Sequence, residues 1–220
     1  MIKIIDNKLL KIWFFPSDLP LMPISNQEES WKRELSNFKK YQFHFSRGYA
    51  RLALSTLFNL KPLEVPIIAT PSQPPFLEKS FGFISLSHCK DGSIIGWSIS
   101  KLGIDIESQN RSIDIKKLSE FLLSPKEKKY LYSKKNNLSE KFLSIWVRKE
   151  ALIKFSHGNI IRDFKIWQID FDKNTAKNKT ISRSIFVRNI KYKKWLIGLA
   201  SENNINKKLN NIEKYFQVVL

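Results

Sequence analysis

Apolar residues recur at helical spacing in two long stretches of the chain. Residues 27–60 show this spacing, and Pro62 and Pro66 end it. The apolar face of this stretch carries Phe45, Tyr49, Leu52, Ala53 and Leu57. Residues 138–156 repeat the spacing, through Phe142, Ile145, Trp146 and Ile153. Each stretch predicts a long helix with one face on a core. In the first helix, Arg47 and Arg51 lie one turn apart and are predicted to share another part of the surface.

Shorter apolar runs predict strands. Residues 81–107 predict three of them, with a tight turn at Asp91-Gly92, and residues 1–15 predict two around Asp6-Asn7. Further strands are predicted at 165–171, 183–188, 195–200 and 215–220, with a polar loop at 172–180. Residues 66–76 predict a proline-rich connection, and residues 114–135 predict two charged helices, the second beginning at Ser124-Pro125.

The order of these elements indicates the fold class. Strands and a long helix come first, followed by strands, helices and strands, which is an α+β pattern and not the alternation of a parallel sheet. The segment Ile95-Gly96-Trp97-Ser98 is echoed by Ile197-Gly198-Leu199-Ala200. Four positions are too few to define a repeat, but they are compatible with a duplicated, two-lobed architecture.

Composition narrows the function classes only partly. The formal net charge is +18, which suits a nucleic acid, an anionic membrane, an acidic protein or a phosphorylated ligand. The lysines are scattered, with no basic tail and no basic helix interleaved with aromatics. The single cysteine, Cys89, excludes an internal disulfide and a cysteine-rich zinc site. No apolar run reaches the roughly 18 residues that span a bilayer, so a cytoplasmic protein is expected.

Two acidic residues follow each other at strand spacing in Gly103-Ile104-Asp105-Ile106-Glu107. Alternation along a strand turns the isoleucines to one face and the carboxylates to the other. Adjacent carboxylates repel each other unless a cation neutralises them, and hard oxygen ligands suit Mg²⁺. A solvated edge strand with two harmless acids is the simpler alternative for this motif taken alone.

Two further stretches carry candidate chemistry. Trp146, Glu150 and Lys154 stack at successive helical turns, which places a third carboxylate one turn from a lysine. An ordinary surface pair between Glu150 and Lys154 explains that spacing equally well. Ser87 and His88 lie at the end of a strand just before a turn, where ligands often bind, although a lone histidine is more often structural.

In this order, the stretches resemble the motifs of the 4′-phosphopantetheinyl transferases of the longer, two-lobed type. The matching segments are Ser85-Leu86-Ser87-His88-Cys89, Gly103-Ile104-Asp105-Ile106-Glu107, Glu120-Phe121-Leu122-Leu123-Ser124-Pro125-Lys126-Glu127, and residues 146–154. The resemblance implies two similar lobes in one chain, a pseudo-dimer at residues 1–101 and 102–220. Each lobe would pack a small, mainly antiparallel sheet on a long helix, with the active site and the coenzyme A site between the lobes.

The resemblance also implies roles for individual residues. It assigns Mg²⁺, with Mn²⁺ as an alternative, to Asp105, Glu107 and Glu150. Lys154 corresponds to the lysine at the coenzyme A phosphates and the reaction centre. The resemblance assigns further coenzyme A contacts to Lys32, Arg47, Ser87 and His88, with Arg47 at the nucleotide part and His88 at the 3′-phosphate.

The implied reaction transfers phosphopantetheine from coenzyme A to a serine of an acidic apo carrier protein. Glu150 or a metal-bound water is the candidate base. The expected protein is a monomer that acts without a nucleic acid or a membrane. Two positions depart from the family pattern: Pro74 stands where a ligand-binding lysine is usual, and Cys89 replaces a serine.

Two rival functions remain at this stage. A Mg²⁺-dependent nuclease would also use clustered acids and a lysine, but its usual Glu-x-Lys pattern is missing, because Ser108-Gln109 follow Glu107. A basic module that only binds nucleic acid would explain the charge, and it leaves the three acids unexplained.

Overall fold

The computed structural model describes residues 10–68, 73–133, 137–178 and 181–204. These residues divide into two compact units, the first ending at Ile99 and the second beginning at Ser100. Both units combine helices with antiparallel strands, so the predicted α+β class is confirmed. The predicted strand before Asp6 and the one at 215–220 lie outside the described residues. Over the described ranges, every helix is too short or too polar to span a bilayer.

The first unit contains a three-stranded antiparallel sheet and a long helix. Its central strand is β5, flanked by β1 and β4, and β2 pairs separately with β3. The elements are β1 (Leu10–Pro16), α1 (Asn26–Arg33), α2 (Asn37–Phe58), β2 (Ile67–Ile68), β3 (Phe76–Leu77), β4 (Phe83–Cys89) and β5 (Gly92–Ser98), with short 3₁₀ helices at Pro62–Glu64 and Lys79–Phe81.

The helix predicted over residues 27–60 is two helices, because the backbone becomes extended at Ser36. Helix α1 begins with a capping box, in which Ser25 and Glu28 each bind the other's backbone N–H. Helix α2 ends at Asn59, whose left-handed φ of 54° terminates the helical hydrogen bonds. The apolar periodicity passes through the break, which is why it did not reveal two helices.

The prediction that Arg47 and Arg51 lie on the surface is wrong, because both are buried. Arg51 forms a buried ion pair with Glu28, with 2.7 Å between Arg51 Nε and Glu28 Oε2. Its Nη1 also donates to the carbonyl of Val65 at 2.9 Å. Helix α1 and the segment after α2 therefore cover this face, and a helical periodicity cannot show what packs against the polar side of a helix.

The second unit is a five-stranded antiparallel sheet with the order β6-β10-β9-β8-β7. Strand β6 is at one edge and pairs with β10, where Asp105 lies opposite Gly198. The elements are β6 (Leu102–Ser108), α3 (Ile115–Leu122), α4 (Pro125–Tyr132), α5 (Leu138–Ser156), α6 (Ile160–Asp163), β7 (Gln168–Asp170), β8 (Thr175–Asn178), β9 (Ile181–Tyr192) and β10 (Trp195–Ser201).

Most predicted elements of this unit are confirmed, including α5 at residues 138–156. The polar loop predicted at residues 172–180 is wrong in part, because β8 forms within it. Its second residue, Ala176, is buried and pairs with Ile169 of β7 and Ile185 of β9. A single small apolar residue among polar neighbours gave too weak an alternation to predict a strand.

Helix α5 lies directly on the sheet at two glycines. A Cβ atom added to Gly103 of β6 would overlap the carbonyl oxygen of Ala151 and the backbone nitrogen of Phe155. A Cβ added to Gly198 of β10 would overlap the carbonyl oxygen of Val147. The absence of side chains at these two positions therefore lets the helix backbone approach the strands, and this contact fixes the position of α5 over β6.

A buried ion pair joins α4 to α5. Lys149 Nζ lies 2.7 Å from Glu127 Oε2, with the two side chains 0% and 1% exposed. The ammonium also donates to the carbonyl of Phe164 at 2.8 Å. Glu127 simultaneously closes the capping box of α4 with Ser124. Lys149 therefore has a structural role, which the sequence motif alone did not indicate.

Replacing Lys149 with methionine is expected to destabilise the protein by about 3–5 kcal/mol, because the Glu127 carboxylate would remain buried without its cation. The double variant Lys149→Met/Glu127→Gln should recover part of this loss. Urea unfolding followed by circular dichroism measures both. The control is Lys191→Met, which removes an exposed pair with Glu140 and should cost at most about 1 kcal/mol. Equal losses in Lys149→Met and Lys191→Met would contradict the structural role.

The variant Gly198→Ala is expected to lose about 1–3 kcal/mol of stability, because its methyl group displaces the α5 backbone. Gly103→Ala should act in the same direction, since it contacts the same helix. Urea unfolding midpoints test both variants. Unchanged midpoints would show that α5 can shift without cost.

Candidate active site

Strand β6 presents its acids as the alternation predicts. Ile104 and Ile106 are buried in the unit, and Asp105 and Glu107 lie on the opposite face. Asp105 is 4% exposed, whereas Glu107 at the end of the strand is partly exposed. A buried carboxylate requires a compensating partner, so the groups around Asp105 decide what the site can do.

Helix α5 supplies that partner. Lys154 Nζ donates to Asp105 Oδ1 at 2.7 Å and forms an ion pair with it. Glu150 lies one turn before Lys154 on the same helix. The two glycines under α5 set the height of the helix over β6, which brings Lys154 within hydrogen-bond distance of Asp105. The second unit thus brings together all four of its predicted site residues, which are Asp105, Glu107, Glu150 and Lys154.

Arg111 also belongs to this group, and the sequence reasoning missed it. Its Nη1 donates to Glu107 Oε1. Its guanidinium carbon lies 5.3 Å from the centroid of the Trp146 ring, a cation–π contact. The available signal was a basic residue four positions after Glu107, but β6 ends at Ser108 and strand periodicity does not extend to Arg111.

The three carboxylates influence one another electrostatically. Burial raises the pKa of Glu150 to about 7, and the negative charges of Asp105 and Glu107 add to that rise, against the attraction of Lys154 and Arg111. Burial also raises the pKa of Glu107, where Arg111 opposes the rise and Asp105 adds to it. Glu150 therefore retains a proton at pH values where an ordinary glutamate is ionised.

The donor chemistry of this group fits a hard divalent cation. Three carboxylates meet at one place, and the charges of Asp105 and Glu107 help to raise the pKa of Glu150; Mg²⁺ or Mn²⁺ relieves this kind of repulsion. Across the described ranges, no three Asp, Glu, His or Cys side chains are arranged to hold a metal as they stand. Asp105 and Glu107 instead have ion pairs with Lys154 and Arg111, so a cation would have to compete with these pairs.

The predicted nucleotide contacts lie in the first unit, and Arg47 is the most unusual of them. It is 4% exposed and packs over the Phe43 ring at 5.3 Å. In the described part of the chain, its Nη1 has no hydrogen-bond partner. Burial lowers the pKa of Arg47 to about 10, against the attraction of Glu28. A buried guanidinium with an unused donor is suited to an anion.

Lys32 is held by a histidine that the sequence reasoning did not select. Lys32 Nζ lies 3.0 Å from Nδ1 of His44 and 2.6 Å from Glu29. Nε2 of His44 lies 3.1 Å from the carbonyl oxygen of Met22. Because a carbonyl only accepts, Nε2 carries the hydrogen, and Nδ1 accepts from the lysine. His44 thereby fixes the position of Lys32.

The remaining predicted residues, Ser87 and His88, lie near the end of β4 before the hairpin to β5. Ser87 is buried and pairs with Ile94, whereas His88 is exposed and pairs with Ser93. Both therefore lie at the strand tip where the sequence placed them.

Comparison with known proteins points to one superfamily. Residues 101–205 match the family model of the 4′-phosphopantetheinyl transferase superfamily. The matched segment includes Asp105, Glu107, Glu150 and Lys154 and corresponds to most of the second compact unit. The resemblance seen in the motifs is thus confirmed at the level of the superfamily for this part of the chain. The search of curated proteins found no match.

Glu150 should make stability depend on pH. Its folded pKa of about 7 lies above the ordinary value of 4.5, so the folded state binds more protons between these values. Stability should therefore fall as the pH rises from 4.5 to 7, by about 3 kcal/mol, and Glu150→Gln should remove this slope. Urea unfolding in EDTA at several pH values tests this. Glu140→Gln, an exposed glutamate on the same helix, should keep the slope; a wild-type slope in Glu150→Gln would contradict the assignment.

Proposed function

We propose that this protein transfers the 4′-phosphopantetheine group of coenzyme A to a serine hydroxyl of an apo carrier protein and releases adenosine 3′,5′-bisphosphate. One observation carries the proposal. The segment that matches the superfamily model contains three mutually repelling carboxylates beside a lysine, at Asp105, Glu107, Glu150 and Lys154. Phosphoryl transfer depends mainly on positioning and on stabilising charge, and this group offers both.

The three carboxylates would hold Mg²⁺, or Mn²⁺ in its place, which supplies charge neutralisation at the pyrophosphate when it is bound. Lys154, which already donates to Asp105, would also donate to a phosphoryl oxygen as charge develops there. In the reaction, the serine oxygen forms a bond to the β-phosphorus of coenzyme A. The bond from that phosphorus to the bridging oxygen breaks.

The serine proton needs an acceptor. A base is most effective when its pKa lies near the working pH, and burial raises the pKa of Glu150 to about 7. A cation bound to the same carboxylate would lower this pKa, so Glu150 and a metal-bound water are both candidates for the general base. Either would accept the proton as the serine oxygen attacks.

The first unit would bind the nucleotide part of coenzyme A. Among the described residues, Arg47 has a buried donor without a partner, which would bind the 3′-phosphate. Lys32, which is held by His44, would bind the same anion. Ser87 and His88 would add contacts from the strand tip. Binding energy from parts of a substrate that do not react helps to position the reacting bond, here the pyrophosphate. These lysine and arginine contacts would compensate for the missing lysine at Pro74.

The carrier is expected to be acidic, since the net charge of +18 favours a negatively charged partner and speeds encounter at low salt. We assign the protein to the longer, two-lobed type, acting as a cytoplasmic monomer. Acyl, polyketide and peptidyl carriers are all candidate substrates.

The direct test incubates the protein with coenzyme A, Mg²⁺ and purified apo carriers of these three kinds, and weighs each carrier by mass spectrometry. The expected result is the mass gain of one phosphopantetheine group on at least one carrier, and none in EDTA. No gain on any carrier would overturn the proposal. A nuclease assay and a salt-dependent DNA-binding assay run beside it would then identify either rival function.

The variants Asp105→Asn and Glu107→Gln should each lower kcat by at least about 100-fold, since each removes a charged ligand from the site. Circular dichroism should show that both remain folded. The control is Glu120→Gln, an exposed glutamate of α3 that pairs with Lys128, and it should keep normal turnover. Near-normal turnover in either site variant would contradict the assignment of Asp105 and Glu107 as metal ligands.

A further inference from the structure

Arg111 is held by two contacts from different elements. It donates to Glu107 at the end of β6, and its guanidinium lies over the ring of Trp146 on α5. Trp146 lies one helical turn before Glu150. The ring that Arg111 contacts therefore belongs to the same helix as Glu150 and Lys154. An arginine on an aromatic ring keeps its donors directed outward in the plane of the guanidinium, where they can change acceptor.

The carboxylate that accepts from Arg111 is also one of the proposed ligands of the divalent cation. The positive charge of Arg111 beside Glu107 disfavours a second cation at the same carboxylate, so the guanidinium and the divalent cation compete for Glu107. Lys154 competes with the cation for Asp105 in the same way. Arg111 has a second site of attachment, the Trp146 ring, which would retain it nearby after it loses Glu107.

Formal charge shows what this competition changes. Asp105, Glu107 and Glu150 as carboxylates, against Lys154 and Arg111, leave the group with one negative charge. A bound divalent cation would turn that into one positive charge. The group would then attract a pyrophosphate, and the displaced guanidinium would offer it a bidentate donor.

We propose that Arg111 is an exchangeable counter-ion of the site. It competes with the divalent cation for Glu107. Once displaced, it binds a phosphate oxygen of coenzyme A while its guanidinium remains in contact with the Trp146 ring. This inference rests on the proposed function, and it makes coenzyme A binding dependent on prior binding of the cation. Glu107 thus exchanges one cationic partner for another, and Arg111 exchanges a carboxylate for a phosphate.

The first test measures cation binding by calorimetric titration with Mn²⁺ alone, without coenzyme A. Arg111→Gln should bind Mn²⁺ about 5- to 10-fold more tightly than wild type, because the competitor of the cation is gone. Arg111→Lys retains the charge and should give a smaller gain. The matched control is Arg183→Gln, which removes the same charge from an ion pair with Glu202. Glu202 follows the end of β10 that pairs with Leu102, whereas Glu107 lies toward the other end of β6, so Mn²⁺ affinity should be unchanged.

The second test measures coenzyme A binding at saturating Mn²⁺. Here Arg111→Gln should bind coenzyme A about tenfold more weakly than wild type, since the phosphate has lost its arginine. The affinity of Arg111→Lys for coenzyme A should lie between those of wild type and Arg111→Gln. Opposite changes in the affinities for the cation and for coenzyme A cannot come from a general loss of structure. Unfolding midpoints within error of wild type would confirm that the variants are folded.

The possible outcomes separate this inference from the function itself. If wild type modifies a carrier but Arg111→Gln binds Mn²⁺ no more tightly, the counter-ion role is overturned and the function stands. If Glu107→Gln binds Mn²⁺ as tightly as wild type, Glu107 is not a ligand and the role of Arg111 falls with it. If no carrier is modified, the proposed function fails, while the two titrations still decide whether Arg111 competes with a cation and supports anion binding.

Discussion

The close approach of α5 to β6 and β10 is the constraint on which the second unit depends. Gly103 and Gly198 leave no room for a side chain, so the helix backbone rests on the strands. This contact brings Lys154 of α5 within hydrogen-bond distance of Asp105 of β6. The chemistry of the site therefore depends on two residues that carry no functional group and take no part in it.

Both units use the same device to secure their long helix. In each, a serine caps a short helix, a glutamate three residues later closes the capping box, and that glutamate pairs with a buried cation of the following long helix. The first unit uses Glu28 with Arg51, and the second uses Glu127 with Lys149. The recurrence supports the proposed duplication better than the four-residue echo in the sequence does, because it matches a contact as well as a pattern.

The parts of the fold that follow from local periodicity could be predicted from the sequence. Helix α5 and the shared strand face of Asp105 and Glu107 are of this kind, since spacing within one element determines them. Contacts between distant segments could not be predicted. The burial of Arg47 depends on what covers α2, and the place of Arg111 depends on where the chain turns after β6. Residues whose role comes from a partner far along the chain, such as Lys149, were therefore the ones missed or misjudged.

The double attachment of Glu127 has a consequence for motions of the native protein. One carboxylate closes the first turn of α4 and also holds the middle of α5 through Lys149. Neither segment can open without breaking the link to the other. In native-state hydrogen exchange, the first turn of α4 and the central amides of α5 should therefore exchange with one common opening free energy, as a single cooperative unit.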